Sequence, residues 1–156
     1  MTVIFIRFAN IILAALLAGA SFGILVGFNP MHYSASTYIE QQKNLVLSLN
    51  TLMVWLVIIT TLVTIVSAFL QRKNKTVFIT LLVAAAFFAS CIFISRLGNL
   101  PIQNEMLTWS ANSIPFNWTM FREKWWSFHI MRTVAELIAL VLVAWTSVQK
   151  STYAIK

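Results

Sequence analysis

The sequence predicts an all-α membrane protein: a bundle of four transmembrane helices, both termini cytoplasmic, with a short helix in a long outer loop. Three observations predict it. Hydrophobic residues fill 60% of the 156 positions and charged residues only 10%, against roughly a quarter charged in a soluble domain, and mean hydropathy is +0.83. The apolar residues fall into four runs, each near the ~20 residues that cross a bilayer at about 1.5 Å per residue. Arg72, Lys73 and Lys75 share one short loop between runs, which the positive-inside rule places in the cytoplasm. The expectation is one membrane domain with spans about 3–28, 45–70, 77–97 and 126–148, outer connectors 29–44 and 98–125, and a cytoplasmic loop 71–76. The expected setting is a bacterial inner membrane, with any site facing its outer side.

The first run, Val3 to Phe28, carries Ala15, Gly19, Gly23 and Gly27 four apart. Small residues at that spacing let another backbone approach one helix face. Packing inside the monomer is the preferred reading, and a homo-oligomer or a partner helix through Gly19, Gly23 and Gly27 is the other. A cleaved signal peptide fits less well, because the apolar run continues past the small residues AGA where cleavage would fall. Asn29-Pro30 ends the helix. The stretch that follows holds His32, Tyr33, Tyr38, Glu40, Gln41 and Gln42, and reads either as an interfacial connector with belt tyrosines or as cover for the mouth of a site.

The second run, Leu45 to Leu70, contains Thr60, Thr61, Thr64 and Ser67, whose hydroxyls can bond back to their own helix. The third ends near Arg96, close enough to the interface to snorkel. Arg7, Lys150 and Lys156 agree with cytoplasmic termini. In the long second outer connector, Asn99 is expected to cap a short helix, PIQNEMLTWSA, with Pro101 in its first turn. Asn117 is expected to cap the last helix, beginning at Trp118.

That last helix holds most of the unusual chemistry. At about 100° per residue, Trp118, Arg122, Trp126, His129, Arg132 and Glu136 fall on one face, with Trp125 and Thr133 beside them. A charge near mid-bilayer costs ~2.5–3.5 kcal/mol even on the lenient insertion scale, so the stripe must look into protein or water. Arg132 and Glu136, four apart, can form an ion pair. His129 and Glu136 are candidates for catalysis with Arg122 and Arg132, because intramembrane ionisable groups are usually functional.

Other classes are excluded or left open. The net charge of +7 lies largely in the 71–76 loop, so topology explains it and nucleic acid is not an expected partner; membrane lipid and a lipophilic small molecule are. Cys91 is the single cysteine, which excludes an internal disulfide and CxxC redox chemistry. Imidazole and carboxylate suit iron, zinc or copper, so His32, Glu40, His129 and Glu136 form the one candidate metal set, and the two histidines also suit haem. No cofactor is required by the sequence, and a bound metal or haem stays open.

The run NLPIQNEM, with Asn99, Pro101 and Asn104, followed by W-x3-R-x3-W-x2-H-x2-R at Trp118, Arg122, Trp126, His129 and Arg132, resembles the anthrone-oxygenase-like membrane family. A Y-x-x-x-Q-like segment at Tyr38 to Gln42 agrees in layout. The resemblance implies a bundle of about four helices that oxidises a lipophilic aromatic or phenolic compound with molecular oxygen. It implies His129 as general base, Arg122 and Arg132 as oxyanion stabilisers, and substrate contacts from Trp118, Trp126, Asn99, Asn104 and Tyr38. The competing expectations are a proton-coupled transporter using Glu136 and a lipophile-binding or accessory membrane protein.

Overall fold

The computed structural model describes residues 2–110 and 113–149. Lys150 and Lys156, used above to orient the C-terminus, lie outside the described residues, as does Ala111 at the end of the expected loop helix. Among the described residues the fold is helical, with four helices long and apolar enough to cross a membrane. Five α-helices are present: α1 (Thr2–Gly27), α2 (Ala35–Leu70), α3 (Lys75–Ile94), α4 (Leu100–Leu107) and α5 (Trp118–Val148). A 3-10 turn (Pro30–His32) links α1 to α2, and a π-helical turn (Ser95–Asn99) joins α3 to α4.

Local chemistry sets most of these boundaries. The Asn29 carboxamide accepts from the Met31 amide, and the Ser34 and Asn74 side chains accept from the Thr37 and Val77 amides at the first turns of α2 and α3. Such caps satisfy amides that have no partner inside the helix. Ser34 corrects one expectation: α2 starts at Ala35, so residues 35–44 are helix rather than connector. Tyr38, Ile39, Gln42 and Val46 are buried along one side of this added length, and that burial favours continuing the helix.

Asn117 does stand before Trp118, where α5 starts, but its side chain makes no cap bond. Asn99 is not a cap either. Its backbone is helical and its amide donates instead to the Trp125 carbonyl, 3.1 Å away. The short helix is therefore no separate piece, because the π turn carries α3 directly into α4 with Pro101 in the first turn.

The four long helices form a square in which α1 packs on α2 and α5, and α3 on α2 and α5. Ala14, Leu17, Met53, Val57, Leu81, Phe88, Ala139 and Val143 fill the centre. Ile4, Phe5, Leu16, Trp55, Leu62, Phe93, Val141 and Trp145 point outward and are exposed. An apolar exterior around helices that satisfy their own backbone is the arrangement a bilayer demands, and the chain is an integral membrane protein. Buried polar pairs tie the bundle near the α2–α3 turn: Arg7 donates to the Thr146 carbonyl at 3.0 Å, and Thr64 to the Asn10 Oδ1 at 2.7 Å.

Gly19, Gly23 and Gly27 contradict the packing expected of them. A Cβ at any of the three would meet nothing within 4 Å, so this face of α1 lies open and packs on no other helix of the monomer. Gly98 is the glycine that close approach requires. A Cβ there would stand 2.6 Å from Cγ of Phe128, so only a residue without a side chain lets α5 lie this close to the π turn.

Candidate functional site

The apolar residues of α5 carry its polar face inward. Trp125, Trp126, His129, Thr133 and Glu136 are all buried, and Arg122 is nearly so. The prediction that the stripe looks into protein holds, but it does not look into one place.

The N-terminal length of the stripe is closed by aromatic packing. His129 is fully buried against two indoles, 5.3 Å from the Trp125 ring centre and parallel within 2°, and 5.5 Å from Trp126. The Arg122 guanidinium sits over Trp118, 5.0 Å from its ring centre, and its NH2 approaches Glu123 at 3.4 Å. Tyr38 of α2 also packs on Trp118, with ring centres 5.8 Å apart. Trp109, which sequence reasoning missed as an anchor, seals this end against Phe121 at 5.3 Å and offers its carbonyl to Lys43 at 2.6 Å.

The deeper length meets a pocket. A cavity of about 460 Å³ lies between α2, α3 and α5, and Arg132 and Glu136 both stand on its wall. The rest of the lining is mainly apolar, with Leu17, Met53, Val57, Ile58 and Ile92 on its sides, and Asn50, Asn99 and Gln103 as its neutral amides. The π turn contributes Ser95, Arg96 and Asn99 to this one wall. A π turn is wider than an α turn and recurs at functional sites.

Arg132 is held on three sides. Its NH1 donates to Ser95 Oγ at 3.1 Å, its NH2 lies 3.3 Å from His129 Nδ1, and its Nε is 3.6 Å from Glu136 Oε1. A guanidinium has no acceptor, so Nδ1 of His129 accepts and the histidine proton lies on Nε2. The ion pair expected between Arg132 and Glu136 is therefore present, with Glu136 almost fully buried. Glu136 Oε2 and Asn99 Oδ1 have no hydrogen-bond partner within the protein. Both belong to residues that line the pocket, and a buried unsatisfied polar atom costs roughly 1–3 kcal/mol. Both atoms lie behind the surface of the cavity rather than on it.

Several predicted site residues are not brought together. Arg122 and His129 do not line the pocket, and neither do Trp118, Trp126 or Tyr38. Arg122 stands ten residues before Arg132, or about 15 Å along the helix. Asn104 is exposed, while its neighbour Gln103 faces the pocket. The candidate metal set also separates: His32 and Glu40 are exposed, and no group of three metal-ligating side chains exists among the described residues. Sequence reasoning missed Asn50, Met53, Val57, Ser95 and Gln103 as lining residues and read Arg96 only as a snorkelling cation. Asn50 carried the one available signal, as an amide inside an apolar run.

No curated protein and no solved structure matches the chain. A family model described as anthrone oxygenase matches residues 43–142, which takes in most of α2, all of α3, the π turn and α4, and α5 to below Glu136. That match covers most of the chain and every polar residue of the pocket wall, and the chain belongs to the anthrone oxygenase family.

Proposed function

We propose that this protein is an oxygen-dependent oxidoreductase that acts on a lipophilic phenolic aromatic, an anthrone or a compound of like reactivity, in the pocket between α2, α3 and α5. The observation that carries the proposal is the Arg132–Glu136 pair on the wall of an otherwise apolar cavity. A flat hydrocarbon body suits the leucine, methionine, valine and isoleucine side chains. Molecular oxygen and such substrates both partition into a bilayer.

In this reading Glu136, rather than His129, is the base. Glu136 lines the cavity, whereas the imidazole is buried behind Arg132 and already accepts from it. Glu136 takes a proton from a methylene flanked by aromatic rings. The electron pair left on carbon delocalises onto the ring ketone oxygen, and Arg132 stabilises that oxyanion. Oxygen then accepts two electrons, one at a time, as a carbon–oxygen bond forms, and the peroxide takes its proton back from Glu136. Loss of the remaining methylene hydrogen with hydroxide, as water, breaks the O–O bond and leaves a ketone. The balance is CH2 plus O2 giving C=O plus H2O, with Glu136 returned to its starting state. His129 is a positioning residue that holds the guanidinium against Ser95 and Glu136.

Arg72 and Lys73 on the α2–α3 turn favour the cytoplasm for that end of the bundle. The pocket and the aromatic closure then belong to the outer half. The test is oxygen uptake with an anthrone by the protein in nanodiscs, with empty nanodiscs subtracted. Wild type should exceed background, and Glu136→Gln should lower the rate by about 10²–10⁴, the range of a general base. Equal rates in the two would overturn the proposal.

A further inference from the structure

Arg96 has no part in the chemistry above, yet it stands on the pocket wall at the outer end of α3. It is exposed. Among the described residues it forms neither an ion pair nor a side-chain hydrogen bond, while the carboxylates at 105, 123 and 136 lie beside Trp109, Arg122 and Arg132. Arg132 differs, because its charge is already balanced by Glu136 and its donors are shared among three partners. The pocket therefore carries one uncommitted cation, at its rim, beside a largely apolar wall.

That cation and the apolar wall describe a ligand. We infer that Arg96 is a specificity residue, and that the compound this pocket takes is an aromatic bearing an anionic oxygen substituent, a carboxylate or an ionised phenol, at the end facing the membrane surface. The inference deepens the oxidoreductase reading and rests on it only for where the reacting carbon lies. A guanidinium is the right partner at the rim, since its planar donors match a carboxylate bidentately. The same pairing at full water exposure would be weak; the apolar walls beside Arg96 exclude part of that water. An arginine at this depth can also meet an anionic lipid headgroup, which is the other source of the same chemistry.

The test is equilibrium dialysis of two probes against the intact protein in phosphatidylcholine nanodiscs, with empty nanodiscs subtracted. Anthracene-9-carboxylate carries the charge and 9-anthracenemethanol is its neutral counterpart. Wild type should hold the carboxylate roughly tenfold more tightly than the alcohol, the size of a charge-assisted hydrogen bond at a half-wet site. Arg96→Ala should lose that preference while binding the alcohol as wild type does, and Arg96→Lys should keep part of it. Unchanged preference in Arg96→Ala overturns the inference, as does failure of wild type to bind either probe. Repeating the series in phosphatidylglycerol nanodiscs separates the two sources. A wild-type preference that survives there supports a ligand substituent, and one abolished only there means that Arg96 serves a lipid headgroup and overturns the inference. The preference lost in Arg96→Ala is read by dialysis and the turnover lost in Glu136→Gln by oxygen uptake, so the two results report on separate claims.

Discussion

Two lengths of one helix face carry the same kinds of side chain and meet opposite neighbours. From Trp118 to His129, the arginine and the imidazole of α5 are covered by indoles and a tyrosine. From Arg132 to Glu136, the arginine and the glutamate line a cavity. The difference lies in what α2 and α3 bring to each level. Near its N-terminus α2 supplies Tyr38, which fills space, whereas further along it supplies Asn50, Met53 and Val57 around a void. Polar residues on a helix thus mark where chemistry is affordable, and the neighbouring helices decide where a substrate fits.

The comparison breaks most decisively if the two arginines behave alike. Arg132→Ala should lower kcat/KM for oxygen uptake by about 10²–10³, the loss expected when a stabiliser of developing negative charge is removed. Arg122→Ala should leave it within about threefold and cost stability instead, a cation–π contact being worth roughly 0.5–2 kcal/mol. A kinetic loss as large in Arg122→Ala would move the site to the N-terminal length.

His129 sharpens the boundary between the two. Truncating this fully buried ring should destabilise the protein by about 2–4 kcal/mol, as other large-to-small core changes do, measured by thermal unfolding in detergent. Activity should fall more modestly, about tenfold, because Arg132 loses one of three restraints. An activity loss equal to that of Glu136→Gln at intact stability would restore His129 as the base.

Gly98→Ala tests whether the π turn sets the pocket wall. The added methyl would stand 2.6 Å from the Phe128 ring, which should cost about 1–3 kcal/mol as overpacking does. Phe128→Leu in the same chain should return most of it, giving a clear coupling in a double-mutant cycle.

The smallest contrast is between the two asparagines of the NLPIQNEM run. Asn99→Ala removes the bond to the Trp125 carbonyl and should cost about 1 kcal/mol. Asn104→Ala, on the exposed side of α4, should change stability by less than ~0.5 kcal/mol and turnover not at all.

Much of the molecule was legible from one chain of letters. Four apolar runs of bilayer length and a nearly charge-free interior leave a membrane bundle as the only stable arrangement, and the 100° spacing of Trp118, Arg122, Trp126, His129, Arg132 and Glu136 puts them on one inward face whatever surrounds them. Arg132 and Glu136, four apart on that face, had to be near each other. Tertiary structure alone decided the rest. Helical periodicity fixes which side of α5 a residue takes, but carries no information on what stands opposite, so it could not separate Arg122 from Arg132 or remove His129 from the cavity. It could not show that Asn99 gives its amide to Trp125 rather than to a helix end, because a cap and a crossing bond use the same side chain. Nor could it reveal that the Gly19, Gly23 and Gly27 face is open while Gly98 is pressed against Phe128. Close approach is a property of two helices together, and the sequence of either one states only that it is permitted.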